Sequence, residues 1–332
     1  MTIIFNLKMK KDTKDLSLFR LRSNGAVIRD GFLLYLDNFR KILCSTWTSA
    51  LVYAIVTSLL TTLFIKFYPS ILMTRIMQAT HPEGMVAGDD DVQLMVIVGI
   101  ICGSLIYVLA SALLASSAFT LLVGHHRDGA LPASVHWYGS LDRKTTARTF
   151  VSWLSMALFP SLFLLLVGAI VIMISGQLSP QVGFYTYTGG IAVAVIVVLL
   201  IMPLFLMRMI SYIENSDVKK AWKGRFALRY WGSSLMVAII VSIVVSVFHL
   251  ATQLPSSILL SANIAAQQGA LLGDNVSMPD YALPMNLIVF TLAAFIQAYI
   301  LMAALFPFHY LLGSVETLER ERDEMSQKLT NP

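Results

Sequence analysis

Residues 149–207 read TFVSWLSMALFPSLFLLLVGAIVIMISGQLSPQVGFYTYTGGIAVAVIVVLLIMPLFLM, a run of 59 residues without one Asp, Glu, Lys, Arg or His. A bilayer core of about 30 Å is crossed by about 20 apolar residues of helix, so the run is long enough to cross twice. Its middle, Ser175 to Gly190, shifts to Gly, Pro, Gln, Ser, Thr and Tyr, the residue types of a loop and of an interfacial aromatic belt. The run therefore reads as a hairpin of two membrane helices with a short connection between them.

The rest of the chain agrees. Of its 332 residues, 57% are hydrophobic and only 13% are charged, against about 25% charged in soluble domains. Uncharged windows recur at Ile42–Ile65, Val92–Gly124, Tyr230–Gly273 apart from His249, and Tyr281–Val315 apart from His309. With the hairpin they predict six helices, at 45–66, 96–123, 149–174, 189–211, 232–254 and 285–312. The first 41 residues are studded with charge, which is the wrong pattern for a cleaved signal peptide, so the first helix is expected to stay as an anchor. Cys44 and Cys102 both lie in or beside apolar runs, and no disulfide framework is expected.

Cutting the chain at these helices sorts its charge. Of the 24 Lys and Arg, 22 fall in the N-terminal tail, the second and fourth loops and the C-terminal tail; Lys66 and Arg75 alone lie opposite. This positive-inside bias predicts that both termini are cytoplasmic. The net charge of +5 thus sorts by membrane side rather than onto a nucleic-acid-binding face, and no nucleic acid is expected as partner.

The fold class expected is all-α: a polytopic integral membrane protein of six helices in three hairpins, each entered through an amphipathic helix in the cytoplasmic interface. Before the first helix, Ile28, Phe32, Tyr35, Leu36, Phe39, Ile42 and Leu43 recur at spacings of three and four, with Arg29, Asp30, Asp37, Asn38, Arg40 and Lys41 on the other face. Before the fifth, Val218, Trp222, Phe226 and Tyr230 form such a stripe, and before the third Val135, Trp137, Tyr138 and Leu141 form a weaker one. Residues 1–44 are then a cytoplasmic tail and interfacial helix, 45–312 the membrane domain, and 313–332 a charged cytoplasmic helix carrying Leu318, Met325 and Leu329 on one stripe.

Lipid tails give helices no hydrophobic reason to associate, so small residues mark close packing. Gly99 and Gly103, then Ala112 and Ser116, supply two such steps in the second helix, which is expected in the bundle interior. Pro160, Pro203 and Pro307 predict kinks. Ion-coupled transporters usually carry intramembrane charge; here the candidates within the bilayer are only His249 and Gln297, at different depths and not expected to pair. His125, His126 and Asp128 cluster at the end of the second helix, with His136 further on. Adjacent histidines point about 100° apart on a helix, so a cap at the dipole's negative end or a headgroup contact is favoured over a metal site. Asp89, Asp90 and Asp91 read as a helix start.

No GxSxG, P-loop or GxGxxG pattern is present, so neither an enzyme nor a bound cofactor or metal is expected. The most distinctive surface stretch interleaves cations with aromatics: Lys219, Lys220, Trp222, Lys223, Arg225, Phe226, Arg229 and Trp231. Beside a membrane it should attract anionic lipid at about 1 kcal/mol per cation, or contact a protein at the cytoplasmic face. The reading is a non-enzymatic scaffold or partner subunit of a bacterial-type cytoplasmic membrane; the alternative is a permease-type subunit for an apolar or lipid-like substrate.

Overall fold

The computed structural model describes residues 18–80, 89–131, 143–175, 180–215, 229–271 and 282–330. Eight helices make up nearly all of them: α1 (Asn24–Asp37), α2 (Phe39–Thr80), α3 (Asp89–Asp128), α4 (Arg143–Ser175), α5 (Pro180–Asn215), α6 (Trp231–Leu271), α7 (Ala282–Ala303) and α8 (Leu305–Thr330). Six segments are long and apolar enough to cross a membrane: Phe39–Leu63, Ile101–Asp128, Arg143–Val171, Thr188–Glu214, Trp231–Ala266 and Pro284–Gln327. The predicted number of spans and their order hold.

Helix boundaries differ, and two of the differences have a local cause. The stretch read as a loop, Ser175–Gly190, is helical from Pro180 onward. Pro at the first helical position lacks an N–H that would be unsatisfied there anyway. Gly190 does not turn the chain; it admits α4, for a Cβ there would lie 2.7 Å from Val171 Cγ2. Both helices run continuously through Pro160 and Pro203. The last span, by contrast, is interrupted at Ala304, where Pro307 lacks the N–H that would bond the Ala303 carbonyl.

The chain divides into two compact units, Met1–Ser45 with Ala115–Ile243 and Ala303–Pro332, and Thr46–Leu114 with Val244–Met302. In the first, α1 lies on α8. The buried stripe of α1 is Val27, Asp30, Gly31, Leu34 and Tyr35, one residue removed from much of the stripe expected at an interface, while Leu33, Leu36 and Phe39 stay exposed. The shift follows from Gly31, which touches the backbone of Phe306 and Pro307 so closely that a Cβ would stand 2.5 Å from Pro307 Cα. Tyr35 then meets the Phe306 ring edge-on at 5.1 Å. Also in this unit, α4 and α5 pack against each other, with the Phe159 and Phe205 ring centroids 5.0 Å apart.

Among the described residues, the second unit is joined by neutral contacts. The Tyr53 and Tyr107 hydroxyls meet at 3.1 Å, Ser58 Oγ donates to the Leu287 carbonyl, and Gln253 Nε2 donates to Gln297 Oε1 at 2.8 Å. Neutral pairs of this kind satisfy each other without placing charge in the apolar layer.

Candidate functional site

The first unit gathers five ionisable side chains from three helices. His125 and His126 come from the last turn of α3, Glu214 from the end of α5, and His309 and Glu316 from α8. The last turn of α3 is set by Gly129, whose φ of +67° ends the helix and whose N–H bonds the His125 carbonyl at 2.9 Å. A glycine in that left-handed conformation is the common helix stop, and it fixes where both histidines point.

His309 Nδ1 lies 2.7 Å from Glu214 Oε1, and both side chains are fully buried. An ionised carboxylate only accepts, so the imidazole donates. On the other side of the ring, His309 Nε2 lies 2.9 Å from His125 Nδ1. A single proton occupies that gap: His125 donates to a neutral His309, or a protonated His309 donates to His125. The second carboxylate oxygen, Glu214 Oε2, makes no hydrogen bond among the described residues; His126 Nδ1 stands 3.4 Å from it. His126 Nε2 in turn stands 3.8 Å from Glu316 Oε2. The cluster therefore has a sealed half, Glu214–His309–His125, and a vented half, in which the His126 and Glu316 side chains are 12% and 14% exposed.

The two adjacent histidines do diverge as helix geometry requires, His125 toward His309 and His126 toward the carboxylates. The helix-end cap or headgroup contact expected of them gives way to burial against a tertiary partner, because α5 and α8 each bring an ionisable group to the end of α3. Among the described residues no three His, Cys, Asp or Glu side chains are arranged to hold a metal ion. What the arrangement can do chemically is bind, share and release protons.

A strap of chain crosses beside the cluster. Leu18 is buried against Gly313, where a Cβ would stand 2.7 Å from its side chain. Phe19 meets His126 edge-on at 5.3 Å and carries the Arg320 guanidinium over its ring at 4.8 Å. Arg22 closes the strap: its backbone N–H donates to Ser314 Oγ, its Nη1 to the Leu18 and Arg20 carbonyls, and its Nε to Asp30 Oδ2 at 2.8 Å. The guanidinium lies 4.7 Å over Tyr310. Asp30, also bound by Arg29, is buried rather than on the polar face of α1.

The residues singled out from sequence fall elsewhere. Lys219, Lys220, Trp222, Lys223, Arg225 and Phe226 lie outside the described residues, as does His136. Arg229 stands 3.7 Å from Glu319, and Trp231 Nε1 donates to the Leu200 carbonyl at 3.0 Å. Tyr230 between them donates to Glu319 at 2.7 Å. Burial, then that hydrogen bond and the charge of Glu319, push its hydroxyl up to about 12, so it remains a donor at physiological pH. His249 is half-buried. Gln297 pairs with Gln253, one turn beyond His249. Ala112 and Ser116 are buried, Gly103 meets Leu60, and nothing lies within 4 Å of a Cβ built on Gly99. Asp89 begins α3, and Cys44 and Cys102 are free thiols.

Comparison with protein-family models, with curated proteins and with solved structures returned no match.

Proposed function

We propose that this chain is a non-enzymatic, membrane-embedded partner subunit of a bacterial-type cytoplasmic membrane, with both termini in the cytoplasm and a cytoplasmic rim that contacts a protein partner and anionic lipid. The observation that carries this reading is the course of α8. Its first half, Leu305–Val315, is buried in the first unit, and its second half continues as a charged helix on which Leu318 and Met325, seven residues apart, are 39% and 61% exposed. Apolar residues at that spacing lie on one stripe of a helix, which is the form of a helix-in-groove ligand. Glu319, one position past Leu318, is tethered by Tyr230 and Arg229, so the stretch proposed to contact lipid and the helix proposed to contact protein meet at one place.

A permease-type reading has one observation in its favour: an apolar groove between α4 and α5, lined by Phe159, Pro160 and Phe163 on one side and Ile201, Met202 and Phe205 on the other, suits an acyl chain. One comparison separates the two. The wild-type protein and a Leu318→Lys/Met325→Lys variant are purified in mild detergent and weighed by native mass spectrometry, then reconstituted and assayed for movement of a fluorescent phospholipid. A stoichiometric protein partner present with wild type and lost with the variant supports the subunit reading. Wild type that purifies alone and moves lipid as well as the variant does would replace it with the permease.

A further inference from the structure

We propose that the groove between α4 and α5, with Arg208 at its end, is a binding site for one anionic phospholipid: an acyl chain lies along the aromatic side chains and the phosphate meets the Arg208 guanidinium. The proposal does not rest on the partner reading above, and it concerns a different cation from those of the 219–229 stretch invoked there.

Counted from sequence with the fourth loop, Arg208 is inside α5, which continues to Asn215, and inside the apolar span Thr188–Glu214. Its Nε is buried, and among the described residues the side chain makes no hydrogen bond or ion pair. A buried N–H is normally bonded, so an unbonded one calls for an acceptor from outside the chain. The neighbouring sequence supplies no counter-ion: Thr149–Ile213 contains no Asp or Glu, and Glu214 is engaged by His309.

The spacing joins this cation to the groove. Ile201, Phe205 and Arg208 recur at four and three residues, which sets them on one side of α5. Ile201 and Phe205 line the groove with Phe159 and Phe163 of α4. A helical side chain leans over the turn before its own Cα; for Arg208 that turn carries Phe205, so the guanidinium lies toward the end of the groove, in keeping with the burial of Nε. The depth suits a headgroup as well. Trp231 Nε1 donates to the Leu200 carbonyl, and indoles of membrane proteins collect at headgroup level.

The ligand follows from both parts. An acyl chain matches a groove lined by aromatic and aliphatic side chains, and a guanidinium offers parallel N–H donors to two phosphate oxygens. A zwitterionic headgroup would bring an ammonium to a site where neither helix has a carboxylate for it. Arg148, three turns before Phe159 on the same side of α4, adds a second cation and favours a headgroup of net negative charge.

The test uses the full chain, purified in mild detergent and titrated with dioleoyl phosphatidylglycerol, dioleoyl phosphatidylethanolamine or oleate, with adducts weighed by native mass spectrometry. One saturable phosphatidylglycerol adduct is expected, held more tightly than either of the other two. Arg208→Gln should weaken it by about tenfold or more, the range for losing a hydrogen bond to a charged group, and Arg208→Lys, which keeps the charge without the fork, by less. Lys219→Gln/Lys220→Gln/Lys223→Gln should leave it unchanged. Wild type that binds phosphatidylethanolamine or oleate as tightly as phosphatidylglycerol overturns the proposal without any variant having to fold. An adduct that survives Arg208→Gln overturns it too, and one lost with the triple variant instead assigns the lipid to the 219–229 stretch.

Discussion

The two units of the molecule handle buried polarity in opposite ways. The first concentrates ionisable groups, Glu214, His309, His125 and His126, where three helices end. The second carries neutral pairs along its helices, Tyr53 with Tyr107 and Gln253 with Gln297. An amide pair that opens loses one hydrogen bond and can find another partner nearby. A buried carboxylate that loses its imidazole has no such recourse, because the cost of leaving a charge in apolar surroundings is several-fold greater than that of a neutral group. The difference teaches that ionisable groups are gathered near helix ends with one side vented, while the neutral pairs lie along the packed helices.

The largest expected effect tests this contrast directly. His309→Leu removes the partner 2.7 Å from Glu214 and should lower unfolding stability by about 3 to 5 kcal/mol, the range for breaking a buried pair. Gln297→Leu should cost about 1 kcal/mol, the loss of one neutral hydrogen bond. Adding Glu214→Leu to His309→Leu should restore much of the loss, since the stranded charge goes with it. Thermal unfolding of the four proteins in one detergent gives the comparison; equal losses for His309→Leu and Gln297→Leu would erase the distinction between the units.

Much of the fold was open to reading from sequence because each membrane span writes itself locally, as a charge-free window long enough for the bilayer. The cluster is different in kind. Its two closest contacts join residues 95 and 184 positions apart, and no local pattern encodes them. One signal was present: Glu214 sits at the C-terminal end of an apolar helix, where a negative charge opposes the helix dipole, and His309 interrupts an otherwise uncharged window. A carboxylate in a position its own helix disfavours implies a partner from another helix. The strap and the burial of Asp30 follow from Arg22, which reads as one more cytoplasmic cation until the chain folds back on it. The Ser175–Gly190 stretch misled for the reverse reason: Gly and Pro are turn residues by local rule, yet there they begin a helix and admit a neighbour.

An intermediate effect should come from the seat of α1. Gly31→Val places a Cβ against Pro307 backbone atoms at 2.5 and 2.6 Å, which cannot move aside as a side-chain tip can. Overpacking of this kind costs about 1 to 3 kcal/mol, and it should lift α1 with the Arg22–Asp30 clasp while leaving the second unit unchanged. Limited proteolysis should then cut near Arg20 and Arg22 at pH 6 in the variant but not in wild type. Gly25→Ala is the matched control, since nothing lies within 4 Å of the added carbon. Cleavage at the same rate in all three proteins would mean that α1 is not seated through Gly31.

The smallest effect concerns the motif that sequence makes most conspicuous. Gly99 and Gly103 form a small-residue step of the kind that brings membrane helices together, but the second unit uses only one of them. A Cβ on Gly103 would lie 3.2 Å from Leu60 Cδ2, the far end of a flexible side chain, so Gly103→Ala asks Leu60 to give by a few tenths of an ångström. A Cβ on Gly99 meets nothing. Replacing glycine by alanine inside a helix also gains about 1 kcal/mol of helix propensity, which acts equally at both positions and cancels in their difference. Gly99→Ala should therefore come out the more stable of the two, by about 0.5 kcal/mol, a value within the usual range for a substitution that makes no special contact. Thermal midpoints of the paired variants in one detergent read this difference. If Gly99→Ala were instead the more destabilising, Gly99 would touch something that is not among the described residues, such as a second copy, and the second unit would gain an interface of its own.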